Sequence, residues 1–239
     1  MNIRPYVIIN GVSSQAVTGL LVTDLPPISK PPVRVLQEEI DGKDGDIITP
    51  LGFGAVDKPL KIALTKDYNI DAVISFFNQE GSIIFSNEPD KVYNFTIYEQ
   101  IDFERLLRFK TAEINIHCQP FKFSAQEVEQ VFNISESPTS FNITNAGNYF
   151  AKPVISLTGS GNIIVTLNGS QVLALALGDV TTTIIIDCEQ MNAYGLDGTF
   201  LNRLVSGNYD KIRLNIGANT FTISGAVSQV KINKYSRWL

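Results

Sequence analysis

His117 is the only histidine among the 239 residues, so any Ser-His-Asp or Cys-His nucleophile has to work through it. Cys118 follows it directly, and adjacent side chains of an extended strand point to opposite faces, which puts the thiol out of the imidazole's reach. His117 therefore reads as a polar-face side chain within bonding range of Glu113 or Asn115. A zinc centre made of Cys and His needs three or four ligands, and the chain has three such residues in two distant places, His117 with Cys118 and then Cys188. Both cysteines fall on the apolar phase of a predicted strand, where a free thiol behaves as a small hydrophobe, and no disulfide is expected.

Other groupings imitate sites without completing them. "DGKDGD" at 41–46 resembles a fragment of a calcium loop, but the twelfth position, where a bidentate Glu belongs, is Gly52. It reads as a hairpin tip. "GFG" at 52–54 lacks the preceding buried strand and following helix of a nucleotide-binding turn, so it reads as a loop. Asp102 and Glu104 sit on one face of an extended reading, whereas glycosidases oppose carboxylates from different elements; they read as solvated strand polarity. Aromatic rings stack on sugars, and the candidates in the second half are Tyr194, Tyr209, Tyr235 and Trp238. Trp238 is the penultimate residue, where anchoring the terminus is the simpler role. No catalytic residue, cofactor or metal is expected, and the chain is not read as an enzyme.

Composition points the same way. Hydrophobic residues make up 44% and charged residues 18%, below the roughly 25% charged residues of typical soluble domains, so much of the surface is expected to lie against partners. The net charge of -5 and the lack of a basic run argue against nucleic-acid binding, which needs clustered Lys and Arg to neutralise phosphate. Of the 19 basic and 24 acidic residues, 12 and 16 precede Ser124, leaving 7 and 8 for a charge-poor second half. No signal-peptide core or stretch of roughly 18 apolar residues is present, so synthesis in a cytoplasm and no membrane partner are expected. Four "N-x-S/T" matches then read as turn and strand residues. The length favours two domains over one.

The elements that would position these residues are mostly strands. "YVIINGV" predicts a strand over 6–9 turning at Asn10-Gly11, and a second strand follows over 19–23. "DLPPISKPP" interposes four prolines, which cannot continue a central strand. "VRVLQEEIDGKDGDIITPLGFG" predicts a strand over 33–40, a turn and a return strand from Ile47, together an arm-like hairpin. Its charged residues, Arg34, Glu38, Glu39, Asp41, Lys43, Asp44 and Asp46, suit an arm that reaches over a neighbour. After a strand over 60–64, Ile70, Val73, Ile74 and Phe77 recur at i, i+3, i+4 and i+7, which predicts one amphipathic helix over about 69–79. Asp67 or Asn69 would cap its start and Gly81 its end. "GSIIFS", "VYNFTIYEQI" and "RFKTAEINIHCQ" read as strands, with a break near 102–104 and an end at Pro120.

Beyond Ser124 short strands follow one another every 8 to 12 residues, roughly the spacing of a β-sandwich. Asn168-Gly169 and the "GSG" at 159–161 read as turns. In "TTTIIIDCEQ", Ile184, Ile186 and Cys188 share the core face. Near the end Phe221 with Ile223 and Val230 with Ile232 read as two strands reversed at Gly225.

The order "IIIDCE", "AY", "LVSGNY", "GANTFTISGAV" and terminal "RW" resembles the C-terminal half of the distal tail proteins of long, non-contractile-tailed bacteriophages. The order of strands, one helix, a hairpin and a closing strand into "QPFKFS" is similar to their N-terminal half. The resemblance implies a mainly β protein with an N-terminal ring-forming domain over 1–124 and a C-terminal sandwich over 125–239, similar to galectin and carbohydrate-binding folds. It implies a hexameric ring at the distal end of a tail, joining the tail tube to the tail-tip or baseplate proteins and leaving a channel for DNA. The virion tail tip is then the location, after synthesis in the bacterial host. The arm around 34–46 is expected to make part of the ring contact, and no inserted receptor-binding module is expected. The alternative is a carbohydrate-binding sandwich used in host adsorption, with Tyr194, Tyr209 and Trp238 as stacking residues.

Overall fold

In a computed structural model, residues 4–239 are described. The fold is mainly β, and the described residues fall into two compact units, one running to Ala125 and the other Gln126–Trp238.

The first unit contains β1 (Val7–Ile9), β2 (Val12–Ser13), β3 (Leu20–Asp24), β4 (Val33–Glu39), β5 (Asp46–Phe53) and β6 (Val56–Leu64). Helix α1 (Ile70–Phe77), β7 (Gly81–Phe85), β8 (Lys91–Thr96), helix α2 (Phe103–Phe109) and β9 (Thr111–Ser124) complete it. Seven strands line up antiparallel in the order β2-β1-β7-β8-β9-β6-β3. Asn10 and Gly11, both at positive φ (48° and 84°), make the expected tight turn. The four prolines of 25–32 lie outside any strand.

Val73, Phe76 and Phe77 of α1 pack into one core with Leu60, Ile62, Ile83, Ile114 and Ile116. The stripe is therefore shifted from the expected one: Phe76 enters the core, and Ile70 stays at its margin. Asn69 caps the helix, its Oδ1 accepting from Ala72 N at 3.2 Å. Gly81 is not the helix cap that was expected. The helix closes at Asn78, and Gly81 opens β7 at φ 130° because the Asn10 side chain sits against it. A Cβ there would lie 2.4 Å from Asn10 Oδ1.

Three other expectations are corrected. The break near 102–104 is α2, not strand polarity: Asp102 Oδ1 accepts from Arg105 N at 2.8 Å, and Lys110 ends the helix at φ 61°. Pro120 does not end its strand. Between Tyr93↔Lys122 and Phe95↔Cys118 the register skips, so residues 119–121 bulge opposite Asn94 and the missing proline N–H breaks no ladder bond. Gly52 and Phe53 are the last residues of β5 rather than a free loop.

The second unit contains β10 (Gln130–Asn133), β11 (Thr139–Asn145), β12 (Val154–Leu167), β13 (Ser170–Ala176) and β14 (Thr182–Asp187). It continues with β15 (Asn192–Gly195), β16 (Val205–Gly207), β17 (Gly217–Asn233) and β18 (Arg237–Trp238). Neither the "GSG" nor Gly225 reverses the chain. β12 has 14 residues and β17 has 17, and the two pair along nearly their whole length, with register shifts in the middle. The first half of β12 carries β14 on its other edge and the second half carries β13, so the sheet curls around one core of Ile, Leu and Val. At the bend the two backbones nearly touch. A Cβ on Gly159 would stand 2.4 Å from Ala226 O, and one on Gly225, at φ 119°, 2.4 Å from Asn162 O. These glycines permit close approach rather than reversal. Asn168-Gly169 does make the expected hairpin, at φ 51° and 81°.

Gly225→Ala is accordingly expected to destabilise the second unit by about 1–3 kcal/mol from backbone strain alone. A calorimetric scan checks this: a lowered melting transition is the expected result, and a scan superimposing on that of the unaltered chain contradicts it.

Candidate functional site

Strands β4 and β5 form a two-stranded sheet of their own. They pair from Glu39↔Asp46 down to Val33↔Phe53, with Leu51 bulged out of the register. The tip closes through Lys43 N donating to Ile40 O at 3.1 Å, with Gly42 and Gly45 at positive φ. At the root Gly54 N donates to Pro32 O at 2.8 Å, and the Phe53 ring meets Phe121 edge-on at 5.7 Å.

Both faces of this ribbon stand in solvent. All of β4 is exposed, and in β5 only Ile47 and Phe53 are half-buried. Direct cross-strand pairs share a face, so Val33, Val35, Gln37 and Ile48 lie on one side and Arg34, Leu36, Glu38 and Ile47 on the other. Val33, Val35, Leu36, Ile40, Ile48 and Leu51 are 43–58% exposed. Interleaved with them are all seven charged residues singled out from the sequence: Arg34, Glu38, Glu39, Asp41, Lys43, Asp44 and Asp46. The ribbon thus offers a bare apolar surface with an acidic excess.

The remaining candidates are scattered. His117 Nδ1 lies 2.6 Å from Asp57 Oδ1 and 3.4 Å from the Tyr98 hydroxyl. Its partner is neither Glu113 nor Asn115, the latter donating instead to Glu99 Oε2 at 2.9 Å. The reason is cross-strand: Asp57 on β6 is the direct register partner of His117 on β9, a neighbour that same-strand spacing does not reveal. Cys118 and Cys188 are both free and buried, and burial pushes each thiol up to about 12. Among the described residues no group of three or more His, Cys, Asp or Glu is placed to hold a metal ion.

Of the stacking candidates, Tyr209 lies in a 3-10 turn with its ring packed against the core of the second unit, and desolvation raises its pKa. Tyr194, on β15, is half-buried opposite Ile185 and near Tyr235 and Asp187. Trp238 is half-buried in β18. Tyr194 and Tyr235 lie within electrostatic range of each other, and Tyr209 is half-buried against the core of its unit. In the C-terminal segment Arg237 Nε donates to Phe150 O at 2.6 Å, and its guanidinium lies over that ring at 4.7 Å.

Sequence reasoning missed one polar group of consequence, Lys58. It is 3% exposed and occupies the inward phase of β6 ahead of Leu60, Ile62 and Leu64. The signal was an alternation whose first inward position is charged.

The burial of both sulfurs carries a test. A thiol reagent at pH 8 is expected to leave the native chain unmodified and to label two cysteines in denaturant; rapid labelling of either under native conditions would contradict the placement.

No family model matches the chain, and no curated protein matches it. No helix among the described residues is long and apolar enough to cross a membrane. Among solved structures the chain is similar to the crystal structure of the SPP1 Dit protein (gp 19.1), described there as a paradigm of the hub adsorption apparatus in phages infecting Gram-positive bacteria. The identity is 17% and the TM-score 0.73, over 98% of this chain and 99% of that one. At that identity the likeness is one of fold, and the chain has a Dit-like fold over the matched length.

Proposed function

We propose that this chain is a structural protein of a phage tail tip whose copies close into a ring, a hexamer, joining the tail tube to the tail-tip or baseplate proteins. The observation that carries the ring reading is the uncovered β4–β5 ribbon. A two-stranded ribbon is marginally stable at best in water, and this one leaves apolar side chains exposed on both faces between charged ones, a surface that a protein partner can cover. A second copy is the natural cover, because one heterologous contact repeated around an axis closes a ring. Arg34, Glu38, Glu39, Asp41, Lys43, Asp44 and Asp46 then frame the contact and the apolar residues between them fill it. Support for the hub role comes from the fold shared with the SPP1 protein. In this reading the first unit builds the ring, and the second is a galectin-like sandwich.

The net charge of -5 suits a channel through which DNA slides, and no measurable duplex binding is expected at physiological salt. The partial exposure of Tyr194 and Tyr235 gives a second reading some footing, a sandwich that binds sugar during host adsorption. That reading predicts a monomer that binds glycans and loses them on Tyr194→Ala.

Light scattering and negative-stain microscopy distinguish the two. The full chain is expected as a closed ring of several subunits, and deletion of residues 39–46 is expected to give folded monomers. A full chain that stays monomeric, or rings that survive the deletion, would overturn the proposal.

A further inference from the structure

The root of the ribbon poses a problem that follows from its sequence. Pro26, Pro27, Pro31 and Pro32 have carbonyls but no N–H groups, so at these four positions of the lead-in the backbone can be tied down only through its carbonyls, by donors reaching from elsewhere. Two side chains do so. Asn87 Nδ2 donates to Pro26 O at 3.0 Å, and Lys58 Nζ donates to Pro27 O at 3.2 Å.

Lys58 does this from inside the core. Its ammonium lies 4.9 Å from the centre of the Tyr93 ring and 5.8 Å from that of Phe85. Glu88 is already taken: it accepts from Lys122 at 2.5 Å through Oε1 and from the Tyr93 hydroxyl at 2.5 Å through Oε2. Of the two buried lysines Lys122 holds the carboxylate, and among the described residues Lys58 has no ion partner in direct contact. Burial pulls its pKa below the ordinary lysine value. An ammonium taken out of water without an ion partner carries a desolvation cost that its replacement by an apolar side chain relieves, whereas stripping one partner from a buried pair is destabilising. Lys58 and Lys122 therefore differ in kind: one pairs a buried carboxylate, and the other spends its hydrogen bond on the arm's lead-in.

We propose that Lys58 is a positioning residue for assembly, a clasp that fixes the direction of the β4–β5 arm by holding the carbonyl of Pro27, and that it does so at the expense of fold stability. Its bearing on assembly rests on the ring reading; its effect on the lead-in does not.

The test uses the full chain with nitroxide labels on Ile28→Cys and Asn94→Cys, both exposed positions, diluted into unlabelled chain so that only distances within one molecule are read. A narrow distance distribution is expected with Lys58, a distribution broadened several-fold with Lys58→Met, and a narrow one again with Lys58→Arg, which keeps a donor. Melting should separate the lysines: Lys58→Met melts at or above the unaltered chain, and Lys122→Met, which strips Glu88 of its ion partner, melts below it. Rings should weaken in Lys58→Met. An unbroadened distribution in Lys58→Met overturns the clasp, as does a melting loss equal to that of Lys122→Met, which would make Lys58 a core residue only. Absence of rings in the unaltered chain would sink the ring reading and leave the distance result to decide the clasp by itself.

Discussion

A pair of strands with water on both sides has nowhere to bury its side chains, and that constraint governs the first unit. The β4–β5 ribbon contributes nothing to either core. Its ladder closes on itself, its outer edges are unpaired by the main sheet, and its apolar residues other than Ile47 and Phe53 face solvent. Something has to hold it at one end and cover it along its length. The root hydrogen bonds at Gly54 and Pro27 meet the first need, and a second copy of the chain meets the second in the reading proposed above.

Each unit is built around a sheet and a core of its own. In the first unit a seven-stranded sheet carries α1 on its apolar side. Bulges and caps appear where the sequence departs from simple alternation: Pro120 in a bulge, Asp102 at a helix start. In the second unit two long strands bend together, and glycine is required where their backbones meet. The titratable residues that first suggest chemistry are absorbed by this scaffolding. His117 bonds across strands to Asp57, and both thiols are buried and protonated.

Much of this was legible from periodicity and turn chemistry. The hairpins at Asn10-Gly11 and Asn168-Gly169, the proline interruption, the arm and the first helix all announce themselves locally. What was not legible depended on neighbours distant in the chain. Gly225 looks like a reversal until Asn162 is brought against it. Gly81 looks like a helix cap until the Asn10 side chain occupies its position. Helix α2 was readable from Asp102 with Phe103, Leu106 and Leu107, but it is only seven residues long and was hidden by the strand pattern on either side. The arm's location was foreseeable; that Lys58 holds its lead-in was not, because no local rule connects a strand lysine to a carbonyl 31 positions earlier.

The central claim is that the ribbon lies on another copy of the chain. A photo-crosslinking amino acid placed at Leu36 or Ile48 in the full-length protein, followed by mass-spectrometric mapping of the products, reads this directly. The account predicts covalent species larger than one chain, with the ribbon joined to a surface of a second copy. Products confined to single chains, at concentrations where the protein is assembled, would contradict it.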